Sequence, residues 1–346
     1  MVLCFSSNSD YLFPLTVAIC SVAVNAPLSN EIVVYIFHQD ISQEKQRQTE
    51  NAISDKRIAI HWISLQDSEI GKRIWSLTQD PVYFKIFLGG LLPIELTKII
   101  CLDSDIVVTG NIDELWNQEL THPIAAVRDF AVPKAKFYPK ESDRYLFKSP
   151  ETTQFNTGLF IASLFYWRNP NLIEQMLNLI EQKKIPERDQ GIANYLFQGN
   201  WRELNLSWNY QTPIYVLPKN VLNELGKAEI LSATIRPKML HYNGVLKPWE
   251  PNNYHPEEDL FYHYVDLGSF KGWRGYSLRG LHLPAGSFRW LRRERLRFYL
   301  RFRSFFECPS LNRDTLKLFT KSLAHSFFNI LLECRKNPQS KNPLPI

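Results

Sequence analysis

Short aliphatic and β-branched runs alternate along most of the chain with longer stretches of helical periodicity. Residues 2–5 predict a strand, 11–26 a helix, 31–37 a strand rich in β-branched residues, 42–54 a polar helix, and 58–63 a further strand. A βαβαβ start of this kind predicts an α/β protein with helices packed on a sheet. Residues 81–92 predict a helix opened by Pro81 and closed by Pro93. It leads into an apolar run in which Ile99, Ile100 and Leu102 read as a strand buried on both faces. Asp113, Glu114, Leu115 and Trp116 start another helix, and residues 124–127 and 155–161 read as later strands. The polar loop between those two strands, 128–154, is too long for a simple connector and predicts a functional segment. Helices are predicted over 170–183 and 189–197; after Leu240 the regular alternation ends.

The apolar run at 99–102 stops in Asp103-Ser104-Asp105. Ligands of α/β proteins collect beyond the carboxyl ends of the strands, where these two carboxylates sit. Along an extended backbone both side chains turn the same way and offer hard oxygen donors to Mg2+ or Mn2+, which can bind a diphosphate. The plainer reading of the same residues is an acidic turn ahead of the helix at Asp113.

With 346 residues, 45% hydrophobic and 13% aromatic, the chain can build one large or two smaller cores and is not a disordered protein. No stretch approaches about 20 uninterrupted apolar residues, and the start at Met1-Val2-Leu3-Cys4-Phe5 lacks the basic region of a secretory signal. Cys4, Cys20, Cys101, Cys308 and Cys334 are scattered and odd in number, which predicts reduced core thiols in a cytosolic protein. The net charge of +5 is modest and excludes a dedicated nucleic-acid binder.

Several motifs then stand in one order: Ser6-Ser7-Asn8-Ser9-Asp10-Tyr11, Tyr83-Phe84-Lys85-Ile86 with Leu91-Leu92-Pro93, Leu102-Asp103-Ser104-Asp105, Phe155-Asn156-Thr157-Gly158, Asp189-Gln190, Trp201-Arg202-Glu203-Leu204, Trp208-Asn209-Tyr210, and His241-Tyr242-Asn243-Gly244-Val245-Leu246-Lys247-Pro248-Trp249. Over roughly residues 1–265 the chain resembles glycosyltransferase family 8. These are the bacterial lipopolysaccharide glucosyl- and galactosyltransferases related to glycogenin and galactinol synthase. The resemblance implies a GT-A-type, Rossmann-like mixed sheet flanked by helices.

The resemblance implies a divalent cation, usually manganese with magnesium as the alternative, held by Asp103, Asp105 and His241. Taken alone, His241 would read as a core histidine at a strand end. The trailing Gly244 permits close approach of backbone to phosphate, and Lys247 can neutralise it. Trp249 shapes the pocket or packs its loop. The family's base-and-ribose site falls on Asn8, Asp10 and Tyr11, with Tyr11 as a stacking face and Ser104 beside them. Without the family those residues form an ordinary turn and helix cap. Two departures stand out: Asn8 occupies a position where many relatives carry an acid, and Lys85 one where they carry arginine, which removes the bidentate fork. Asn156 is expected on sugar hydroxyls, Gly158 to leave room for the sugar ring, and Asp189 and Gln190 to project from a helix N-terminus as candidate catalytic residues. Asp129 is expected on donor or acceptor.

Residues 287–306 change character, with arginines interleaved among Trp290, Leu291, Phe298, Phe302 and Phe305. On a helix this pattern predicts attachment to an anionic membrane surface, and a cationic helix packed on the core is the alternative. The expected organisation is a catalytic domain over 1–270 and a basic-aromatic extension over 271–346. The expected partners are UDP-glucose or UDP-galactose and a glycan or lipid-linked acceptor, at the cytoplasmic face of the membrane. The alternatives are a sugar nucleotidyltransferase, which needs a glycine-rich basic loop where Ser6-Ser7-Asn8-Ser9-Asp10 stands, and a non-catalytic surface protein that binds nucleotide sugars.

Overall fold

Alternating side chains give β1 (Val2–Ser6) two buried faces, with Leu3 and Phe5 in one core and Cys4 in another. The computed structural model describes residues 1–274, except 184, 216, 218, 245–246 and 251–254. The expected helices over 287–306 and beyond lie outside the described residues, as do Cys308 and Cys334.

After β1 come α1 (Leu12–Asn25), β2 (Ile32–His38), α2 (Gln43–Ala52) and β3 (Ile58–Ser64), which is the expected βαβαβ start. Ser42 caps α2 by accepting from Lys45 N. Between β3 and Pro81 stands a helix outside the expected set, α3 (Glu69–Leu77), capped by the Ser68 hydroxyl, which accepts from Gly71 N. The helix expected over 81–92 forms as a 3-10 turn, Pro81–Phe87, and a single α-helical turn, Leu88–Leu91. Gly89 and Gly90 both fall in that α-helical turn, and Gly89 lies so close to Trp167 that an added Cβ would sit 1.9 Å from its carbonyl oxygen. The loop 128–154 also has structure of its own, a 3-10 turn at Ala135–Phe137 and a helical turn at Glu141–Arg144 over a small core of Val132, Ala135, Tyr138 and Phe147.

The remaining strands are β4 (Lys98–Leu102), β5 (Ile106–Val108), β6 (Ile124–Arg128), β7 (Phe155–Ser163), β8 (Arg202–Glu203), β9 (Tyr210–Gln211) and β10 (Met239–His241). The main sheet has the order β3-β2-β1-β4-β7-β6-β8. Its first four strands are parallel, and β7 runs antiparallel to both β4 and β6. A small second sheet has the order β5-β10-β9. Ile99, Ile100, Cys101 and Leu102 are all fully buried, as the apolar run predicted. Cys4 and Cys101 are buried free thiols side by side on β1 and β4. Among the described residues no helix is long and apolar enough to cross a membrane.

Candidate active site

Asp103-Ser104-Asp105 is the joint at which the chain leaves the main sheet at the end of β4 and enters the small sheet as β5. The triplet forms a turn rather than the extended strand end expected from alternation. The turn still aims both carboxylates at one point, because β10 pairs antiparallel with β5 and sets His241 opposite Ile106. His241 Nε2 lies 3.2 Å from Asp105 Oδ1 and 3.5 Å from Asp103 Oδ2. One ligand atom from each of the three residues lies within 4.8 Å of the others. The backbone locks the group: Asp103 N donates to Gly158 O at 2.9 Å and Tyr242 N to Asp105 O at 2.9 Å.

Gly158 leaves room for the His241 imidazole. A Cβ at this position would lie 2.0 Å from His241 Cε1, so the missing side chain is the space the imidazole fills. His241 is 3% exposed.

Two ammonium groups balance the carboxylates. Lys85, from the turn Pro81–Phe87, is 2% exposed; it contacts Asp103, donates to Thr157 O at 3.0 Å and sits 3.3 Å from Asp189 Oδ2. Burial works against its charged form, but Asp103 and Asp189 outweigh burial and hold it well above the ordinary lysine range. Burial raises the Asp189 carboxyl, with Lys85 opposing. Lys247 contacts Asp105 and donates to Tyr242 O at 2.7 Å. Burial also disfavours the Asp105 carboxylate, yet Lys247 and His241 outweigh it and keep the group far below the usual carboxylate range.

The expected helix carrying Asp189 and Gln190 is Arg188–Phe197, and neither residue caps it. Asp189 instead accepts from the Thr157 hydroxyl at 2.9 Å besides pairing with Lys85. Gln190 faces the opposite way, into a cluster of amides. Its Oε1 accepts from Asn156 Nδ2 at 2.9 Å and Thr157 N at 3.3 Å, while its Nε2 donates to Asp129 Oδ2 at 3.1 Å. Asn156, expected on sugar hydroxyls, is fully engaged within the protein. Its Nδ2 also donates to Asp129 Oδ2 at 3.0 Å, and its Oδ1 accepts from Gly158 N and Asn209 Nδ2, each at 2.9 Å. Asp129 is buried and accepts from Val132 N at 2.6 Å through its other oxygen. Its place at the root of the loop 128–154 therefore rests on hydrogen bonds to this chain. Thr157 and Asn209 stand inside the motifs above, but no local signal gives them roles, since their partners come from elements distant in sequence: Lys85, Asp189 and Gln190 for Thr157, Asn156 and His241 for Asn209.

At the end of β1, Asn8 precedes the 3-10 turn Ser9–Tyr11 without capping it through its side chain. Its Oδ1 and the Ser6 hydroxyl are buried with no hydrogen-bond partner, which is uncommon unless a ligand or water completes them. The Ser104 hydroxyl donates to Ser6 O at 3.3 Å and ties the turn to β1. Asp10 is exposed, and Tyr11 is 36% exposed with its ring edge-on to Trp249, centroids 6.0 Å apart. Trp249 packs on Phe261 in the core on one side and meets Tyr11 on the other. Gly244 takes φ +82° with open space around its Cα.

The fold is that of the GT-A-like glycosyltransferases. Across 78% of the chain it matches the crystal structure of the galactosyltransferase LgtC in complex with donor and acceptor sugar analogues, with a TM-score of 0.66, 18% identity and 96% of that chain covered. The bifunctional glycosyltransferase WbbM matches over 78% of the chain and 50% of its own, with a TM-score of 0.63 and 19% identity. The chain belongs to glycosyl transferase family 8, whose family model matches residues 2–253. It is 24% identical over 267 residues to general stress protein A of Bacillus subtilis (strain 168), covering 75% of this chain and 91% of that protein. It is 26% identical over 255 residues to the lipopolysaccharide 1,2-glucosyltransferase of Escherichia coli (strain K12), covering 71% of each. It spans only 61% of glycosyltransferase GlyB of Streptococcus pneumoniae serotype 4, at 26% identity over 76% of this chain.

Proposed function

We propose that this chain is a metal-dependent, retaining hexosyltransferase that moves glucose or galactose from a UDP-sugar to a glycan hydroxyl in lipopolysaccharide or other cell-surface glycan synthesis. The observation that carries the reading is the convergence of Asp103, Asp105 and His241 at the joint of the two sheets, in a chain of this family. Two carboxylates and an imidazole suit manganese better than calcium. The fit extends to the support, because Gly158 is cut away for the imidazole and the chain's own lysines neutralise the same carboxylates.

A bound divalent cation would supply Lewis-acid stabilisation of the charge on the departing diphosphate. The residues of the chain do the rest. Asn8 Oδ1, without a partner, offers an acceptor to the N–H of a uracil, and Tyr11 offers a ring to stack beside it. Asp10 and Ser104 line the same edge. Gly244, in the left-handed region, lets backbone approach a phosphate, with Lys247 close by. Gln190 is held by two donors on its oxygen, and Asp129 behind its NH2 polarises the amide. An amide is a poor nucleophile. Gln190 is therefore read as stabilising positive charge at the anomeric carbon during front-face attack through an oxocarbenium-like state. Asp189 holds Lys85, and through it Asp103, in place.

The two-part organisation, 1–270 catalytic and 271–346 a membrane-surface extension, rests on the basic-aromatic sequence over 287–306. It places the enzyme at the cytoplasmic face of a membrane with lipid-linked acceptors. A panel of UDP-sugars with Mn2+, scored by UDP release, tests the whole reading. Full turnover in excess EDTA would remove the metal. No UDP release from any donor, with or without acceptor, would favour the non-catalytic alternative, and pyrophosphate release from UTP and a sugar phosphate would favour the nucleotidyltransferase.

A further inference from the structure

Asn209 is wholly buried at the end of the 3-10 turn Leu206–Asn209, just before β9. Its side-chain amide lies between the imidazole of His241 and the amide of Asn156. Which way each amide faces follows from backbone N–H groups, which only donate. Gly158 N points at Asn156 from 2.9 Å, so the atom it meets must be Oδ1. The NH2 of Asn156 then faces Asp129 and Gln190. Thr157 N donates to Gln190 Oε1 at 3.3 Å, which agrees with that orientation. Because Asn156 Oδ1 is an acceptor, the Asn209 atom 2.9 Å from it must be Nδ2. That leaves Asn209 Oδ1 facing His241 Nδ1 at 3.0 Å. A carbonyl oxygen only accepts, so Nδ1 carries a hydrogen and Nε2 is the nitrogen turned to Asp103 and Asp105.

We infer that Asn209 is the positioning residue for His241: it fixes the Nδ1–H tautomer and the ring rotation that present Nε2 as the ligand atom. The inference rests on the metal reading above. It adds a residue that contacts neither ion nor substrate, and it links the imidazole by one amide chain to Asn156 and Gln190. Outer partners of this kind orient metal-binding histidines and typically change metal affinity by about 10–100-fold when removed.

The test uses the full chain labelled with 15N-histidine. His241, assigned by loss of its signals in His241→Gln, is expected to show a hydrogen on Nδ1, the nitrogen that faces Asn209 Oδ1; an Nδ1 without one overturns the inference. Mn2+ titration followed by the electron spin resonance of the free ion supplies a second readout. Asn209→Ala is expected to weaken Mn2+ binding by about 10–100-fold. Asn209→Asp, which keeps an acceptor for Nδ1–H, is expected to retain more of the affinity than the alanine variant. An Asn209→Ala protein that melts as wild type and binds Mn2+ as tightly also overturns it. Should Asn209→Ala fail to fold, the tautomer of the wild-type ring decides alone. A wild-type chain that binds no Mn2+ defeats the metal reading instead, and the tautomer still tests the positioning.

Discussion

Replacing Gly158 with alanine tests whether close packing of strand against imidazole builds the site. The added Cβ would lie 2.0 Å from His241 Cε1, 2.4 Å from Nδ1 and 2.8 Å from Nε2. Non-bonded carbons settle at about 3.5–4.0 Å, so either the ring or the strand must move by about 1.5 Å. The strand is held by Asp103 N on Gly158 O at 2.9 Å and by the antiparallel pairing of β7 with β4, which starts at Leu102 opposite Leu159. The ring therefore yields. A movement of that size breaks its 3.0 Å hydrogen bond to Asn209 and carries Nε2 away from Asp105, now 3.2 Å off. Overpacking a core site costs about 1–3 kcal/mol, and each kcal/mol lowers the melting temperature by roughly 2–4 °C in a domain of this size class. The loss in metal affinity should be larger in proportion, about 10–100-fold, because a displaced ligand forfeits its geometry. Melting curves and a Mn2+ titration on the same preparation separate the two effects. Wild-type Mn2+ affinity and melting in Gly158→Ala would refute the packing argument outright.

Asp103→Asn and Asp105→Asn should each lower UDP release on the order of 10²-fold or more, since each removes a carboxylate from the convergent group; near-wild-type rates in either would count against it. Gln190→Ala should lower kcat far more than donor affinity, as expected for a contact that strengthens in the transition state. Calorimetry showing donor affinity falling in step with rate would make Gln190 a binding residue only. Hydrogen bonds from Lys134 and Lys136 pull the Glu224 carboxyl from 4.5 down to about 2, pinning the loop 128–154 to the helix Lys219–Leu225. A depressed carboxyl contributes fully above its unfolded value, and the contribution fades as pH falls from 4.5 towards about 2. Amide exchange of the loop should therefore quicken in that window relative to Glu224→Gln, and identical profiles would dismiss the latch. Full-length protein should sediment with phosphatidylglycerol vesicles at low salt, and truncation after about residue 283 should abolish this while leaving UDP-sugar hydrolysis intact. Vesicles ignored by the full-length chain would assign the arginines to a solvated face.

What the sequence determined by itself is local. The period of the apolar residues predicts β1, α1, β2 and β3, and the polar run opened by the Ser42 cap predicts α2, because both signals lie within each element's own residues. The run Ile99–Leu102 predicts a doubly buried strand, as found, and the two carboxylates after it are legible as a candidate ligand pair, because both signals lie within a few residues. The local signal also misleads in places: the segment expected as one helix over 81–92 is 3-10 from Pro81 to Phe87 and α-helical only over Leu88–Leu91, and the amphipathic, Ser68-capped α3 is a helix the expected elements do not include. Tertiary structure decided everything that depends on strands meeting. His241 stands beside Asp105 only because β10 pairs with β5, and no pattern around residue 241 specifies that register. Gly158 makes room for His241 because β7 passes close to the imidazole, a fact of packing between segments far apart in the chain. Lys85 finds Asp103 and Asp189, and Asn209 finds His241 and Asn156, for the same reason. Buried polar groups must be paired, and which distant partner satisfies each of them is fixed only when the sheets close.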